Sequence, residues 1–313
     1  MFLIRLALYY AGEDAWKRYP LLVCTLPVGG TEGLPAVFAE KLRAAAQGNN
    51  SYLCVGLDPD PELLPHPHVP SFLQEIVDAT KDLVCAYKPN IAFFEAMGTG
   101  GMQTLLESLR SVPKHIPIIV DAKRGDIGNT ARFYARTLFE IYKFDAATVN
   151  PYGGRDAVEP FARYTDKGIF VWCRSSNPGA ADLQDLRLED GRLVYEEIAM
   201  RAREWNVNSN IGLVAGATWP EQIERVRDIC PDMTLLVPGI GAQEGDLEAA
   251  VQAAMDERGE NFIINISRGV LYAGNGDDYA AAARKAAQKL RNRINLMREA
   301  ALARRPGGRP SGR

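Results

Sequence analysis

Asp121, Lys123, Arg124 and Asp126 crowd one short run, Asp121-Ala122-Lys123-Arg124-Gly125-Asp126. Side chains alternate along an extended segment, so Asp121 and Lys123 share a face and Ala122 takes the other. A lysine between carboxylates is held as the ammonium, because nearby opposite charge favours the ionised form. Such a lysine delivers protons; it is not a free-amine nucleophile. The chemistry on offer is proton donation and stabilisation of developing negative charge. A structural ion pair is the plain alternative, although desolvated charge clusters are costly without a task. Asp126 falls where a helix should begin, and by spacing it is equally an N-cap.

A second constellation lies further on, in Pro238-Gly239-Ile240-Gly241-Ala242-Gln243 and Ser267-Arg268-Gly269. Gly239 and Gly241 permit close backbone approach, and Arg268 can grip an oxyanion through two bonds. Together they read as an anion site, with a glycine-rich turn and a surface arginine as the alternative. Three histidines are too few for a histidine metal site, and no cofactor motif is legible. The five cysteines are scattered without CxxC spacing, which suits buried thiols in a reducing cytoplasm.

These residues need a scaffold. Short apolar runs recur at Tyr52–Leu57, Leu83–Tyr87, Pro117–Val120, Ala146–Val149, Ile169–Trp172, Ile211–Ala215, Thr234–Val237 and Phe262–Ile266. Rich in Val, Ile and Leu, they read as buried parallel strands. Helical periodicity fills the intervals at Asp126–Tyr142, Leu193–Trp205, Pro220–Ile229, Leu247–Met255 and Tyr279–Met297. Each interval fits one βα unit, so the expectation is a single α/β domain, a (β/α)8 TIM barrel. A doubly wound sheet would carry a glycine fingerprint after its first strand, where this chain has Gly56-Leu57-Asp58-Pro59-Asp60-Pro61. In a barrel the active face is the carboxyl end of the strands, and every polar cluster above falls there. Pro178–Leu193, after the fifth strand, is a candidate covering segment.

The barrel is expected over residues 34–297, after an extension, 1–33, whose role is not legible. Residues 298–313 read as a basic, disordered tail. The net charge of −3 conceals an asymmetry, since residues 284–313 carry ten Lys or Arg against Glu299. That stretch lacks the aromatics that stack on bases, so a solvated helix and a frayed terminus are expected, with no nucleic-acid partner. No run is long and apolar enough for a membrane span.

The run Asp121–Thr130 resembles the signature of the orotidine 5′-phosphate decarboxylases, in particular their longer bacterial subgroup, type 2. Cys54–Asp60, Tyr87–Asn90, Ser176–Ala180, Val237–Gln243 and Ser267–Tyr272 occur in the family order and support it. The resemblance implies a cytoplasmic, cofactor-free enzyme. It would decarboxylate orotidine 5′-phosphate to uridine 5′-phosphate (UMP) and CO2, the last step of de novo UMP biosynthesis.

It also implies roles. Lys123 matches the proton donor and Asp121 the carboxylate beside the substrate's own. Lys88 and Asp58 match positions serving the charge network and the ribose. Asp126, Ile127 and Thr130 match the part of the motif that reaches the partner's active site in a homodimer. Ser176 matches the reader of the pyrimidine. Gln243 and Arg268 match the phosphate grip, and Pro238, Gly241 and Ser267 fall among the substrate-binding positions. Ser267 departs from the glycine that many relatives carry before the arginine. A metal-dependent sugar-phosphate sibling would need an acidic ligand where this chain has Lys88-Pro89-Asn90.

Overall fold

A computed structural model describes residues 37–240, 246–274 and 276–304. Eight strands lie parallel in the order β2-β1-β8-β7-β6-β5-β4-β3. They are β1 Leu53–Leu57, β2 Ala86–Pro89, β3 Ile119–Arg124, β4 Ala146–Val149, β5 Gly168–Arg174, β6 Ile211–Ala215, β7 Leu235–Pro238 and β8 Phe262–Ile266. Parallel bridges Tyr87↔Ile118 and Asn90↔Asp121 join β2 to β3 and close the ring. The expected TIM barrel is what the chain forms.

Packing explains the apolar runs. One set of alternating positions faces the helices and makes the larger core. The other set, including Cys54, Ala86, Ile119, Ala146, Phe170, Val214, Leu236 and Ile263, fills the barrel itself. Helix Phe38–Gly48, which is not among the periodic segments noted above, adds Phe38 and Leu42 to this inner core. Phe38 meets Phe170 edge-on at 5.8 Å between ring centroids. Gly168 makes room, because a Cβ there would lie 2.3 Å from the Phe38 ring.

Three boundaries differ from the sequence expectation. Strand β2 begins at Ala86, later than Leu83, and carries Lys88 within it. Strand β3 runs on through the charged residues to Arg124, because backbone pairing outlasts the apolar run. The following helix starts at Gly128 with Ile127 at its N-cap, so Asp126 is not the cap. Instead, the Asp126 carboxylate accepts the Ile127 N–H at 2.7 Å.

The last helix continues through Arg304, into the stretch expected to be a disordered tail. Arg298 holds it there, bonding the Gly259 carbonyl and lying 5.0 Å over the Tyr52 ring. Residues 1–33 lie outside the described residues, as do 305–313.

Candidate active site

Two residues further along each strand, on the inner face, the barrel lining turns polar. Lys88 of β2, Asp121 of β3, Thr148 of β4 and Asn265 of β8 replace the aliphatic layer below and border a cavity of about 420 Å³. Asp121 is the hub. Its Oδ2 accepts Lys88 Nζ at 3.0 Å, and its Oδ1 accepts Lys123 Nζ at 2.7 Å and Thr148 Oγ1 at 2.8 Å. Lys88 is 3% exposed, whereas the Lys123 side chain keeps 36%. The ammonium of Lys123 is therefore the one a ligand can reach.

The electrostatics follow. Burial alone would raise the Asp121 carboxyl, but the Lys88 and Lys123 charges outweigh it and hold the group well below the usual carboxylate range. Burial alone would lower Lys88, but Asp121 and Asp58 keep it above the usual ammonium value. The Cys54 thiol below them is pushed up to about 12 by burial.

Lys123 reaches Asp121 by an unusual route. Its backbone sits in the left-handed region at φ +42°, where the β3–β4 register shifts. The Ala122 and Lys123 N–H groups both turn onto Thr148 Oγ1, at 3.0 and 2.9 Å. Regular strand geometry therefore ends at Ala122, and Lys123 meets Asp121 from within a bulge, not from an unbroken ladder. Trp172 of β5 also lines the cavity, with Lys123 Nζ 5.7 Å from its ring centroid. Gly125 must be glycine, since a Cβ would stand 2.6 Å from the Asn150 carbonyl oxygen.

Asp58 and Ser267 meet at the end of β1. Gly56 lies so close to Ser267 that a Cβ there would fall 1.9 Å from its hydroxyl oxygen. Asp58 Oδ1 accepts the Asn90 N–H at 3.1 Å, and the Asp58 carbonyl accepts the Tyr272 hydroxyl at 3.1 Å. Asp58, Ser176, Pro238, Gly239, Ser267 and Arg268 all border the same cavity. Arg268 is exposed at its rim and pairs with no acidic side chain among the described residues. Gly241 and Gln243 lie outside the described residues.

Asp126, Ile127 and Thr130 do not border the cavity of their own chain; Ile127 stands 64% exposed. Sequence reasoning missed Thr148, Trp172 and Asn265, which all border it, and gave no role to Arg174, which ends the fifth strand and borders it too. Thr148 and Asn265 carried a signal, each being a polar residue inside an otherwise apolar strand.

A parallel barrel with a lysine–carboxylate–lysine array at the carboxyl ends of its strands defines a (β/α)8 enzyme, its site where barrel enzymes carry theirs. Comparison with known proteins narrows the class. The profile of the Orotidine 5′-phosphate decarboxylase / HUMPS family matches residues 51–286. Orotidine 5′-phosphate decarboxylase of Roseiflexus sp. (strain RS-1) is 54% identical over 266 residues, which cover 82% of this chain and 97% of that protein. The protein of that name from Cellvibrio japonicus is 52% identical over 272 residues, covering 83% and 99%. The solved OMP decarboxylase of Leishmania donovani superposes with a TM-score of 0.76 at 42% identity, over 84% of this chain and 99% of that one. The chain is an enzyme of the orotidine 5′-phosphate decarboxylase family, as the Asp121–Thr130 run suggests.

Proposed function

We propose that the protein converts orotidine 5′-phosphate to UMP and CO2 without a cofactor, with Lys123 as proton donor. One observation carries the reading: Lys123 is the accessible ammonium of a buried Lys88–Asp121–Lys123 array. The names of the relatives support the substrate.

The residues suggest how the step runs. Asp121 stays ionised and opposes the substrate carboxylate beside it, a stress relieved as CO2 departs. The C6–carboxylate bond breaks and its electron pair remains on C6. The Lys123 ammonium stabilises that charge as it develops, then transfers a proton to C6. Solvent returns the proton to the amine. Lys88 and Thr148 keep Asp121 in place throughout. Arg268 and the backbone at Gly239 hold the phosphate, whose binding energy holds the strained complex.

The active unit in this reading is a cytoplasmic homodimer. Exposed Ile127, with Asp126 and Thr130, reaches the partner's cavity. Reaction in D2O tests the proton route. The product should carry deuterium at C6, read as loss of that proton signal by NMR, and Lys123→Ala should abolish product. A Lys123→Ala variant with undiminished turnover and labelling contradicts the proposal.

A further inference from the structure

Arg174, at the end of β5, is 1% exposed, and no bulkier side chain is so fully buried among the described residues. Its neighbours along the strand are apolar, and a leucine would fill the layer without a desolvated charge. Its bonds indicate what the charge does. Nη1 donates to the Ser175 carbonyl and to Gln184 Oε1, each at 3.1 Å, and Nη2 donates to Asp185 Oδ2 at 3.0 Å. Nε donates to Gln222 Oε1 at 2.5 Å, on helix Pro220–Ile229. Gln184 Oε1 also accepts the Ser175 N–H at 2.8 Å. One planar guanidinium thus closes residues 175–185 into a loop and ties the loop to a neighbouring helix.

That loop presents Ser176 and Asn177 to the cavity. Ser176 is also held from the side. The Thr218 hydroxyl donates to its carbonyl at 3.0 Å, and a Cβ on Gly216 would lie 2.6 Å from its backbone nitrogen. Arg268 and Gly239 border the cavity from other loops, and among the described residues the Arg174 guanidinium bonds neither of them.

We propose that Arg174 is a positioning residue: it sets loop 175–185 so that Ser176 meets the base of the ligand, and it leaves phosphate binding alone. The inference rests on the nucleotide reading above and assigns the base-recognition loop its anchor.

The test is calorimetric titration of the full chain with UMP and with ribose 5-phosphate, a probe that lacks the base. In Arg174→Met, UMP affinity should fall about tenfold or more, the usual effect of losing charge-assisted hydrogen bonds. Ribose 5-phosphate affinity should stay within about twofold, since its contacts are untouched. Gln184→Met, at a partly exposed site, should shift UMP in the same direction by less, and it carries the test alone if Arg174→Met does not fold. Unchanged UMP binding in the variants overturns the proposal, as does an equal loss for both ligands. Failure of the unmodified chain to bind UMP overturns the nucleotide reading itself.

Discussion

Thr148 Oγ1 donates to Asp121 Oδ1 at 2.8 Å while accepting the N–H groups of Ala122 and Lys123. One buried hydroxyl thus fixes both the hub carboxylate and the left-handed backbone at Lys123. Thr148→Val keeps the volume and leaves both N–H groups unsatisfied, at roughly 1–3 kcal/mol. We expect kcat to fall about tenfold with KM little changed, because the loss falls on the reacting centre. Steady-state kinetics check this; a change confined to KM contradicts it.

Removing the proton donor is more severe. General acid catalysis contributes about 10²–10⁴-fold, and Lys123 also supplies fixed positive charge. Lys123→Ala should retain far less than about a hundredth of the rate, with an unchanged circular dichroism spectrum. Retention of more than about a tenth of the rate would remove Lys123 from this role.

Arg268 stands apart from the charge array. Arg268→Ala should raise KM about tenfold or more through lost charge-assisted bonds to phosphate. The fall in kcat should be smaller. Initial-rate kinetics separate the two terms, and an unaltered KM contradicts the phosphate assignment.

Lys88 and Asp121 form a buried pair whose stability varies with pH. Asp121 has a depressed carboxyl, so its stabilisation is present above the unfolded value, about 3.9, and is lost as pH falls through the folded one. Lys88 has a raised ammonium, so its share is present below about 10.4 and is lost as pH rises through the folded value. Lys88→Met leaves the carboxylate without its most buried partner, a loss of about 3 kcal/mol at pH 7. The deficit should shrink toward pH 4, where the variant's carboxyl can protonate. Urea unfolding at both pH values checks the sign; a deficit that grows on acidification contradicts it.

The barrel was legible because parallel strands buried on both faces read as uninterrupted Val, Ile and Leu runs. The pairing of Asp121 with Lys123 was legible from their spacing, and the structure gives 2.7 Å between them. The route was not. The bulge at Lys123 depends on Thr148, 25 residues away in sequence, and no local pattern reports a hydroxyl on the next strand. The N-cap alternative for Asp126 fails for a related reason. Its spacing suits an N-cap, but Gly128 at φ +50° delays the helix. The burial of Arg174 gave no signal, because a buried guanidinium and an exposed one look alike in a sequence.

The most direct test is ultraviolet absorbance of the purified full chain with orotidine 5′-phosphate in EDTA, with nothing else added. The account predicts rapid conversion to the spectrum of UMP, abolished in Lys123→Ala. A nucleotide that binds and keeps its orotate spectrum would contradict it, as would turnover that EDTA stops and added metal restores.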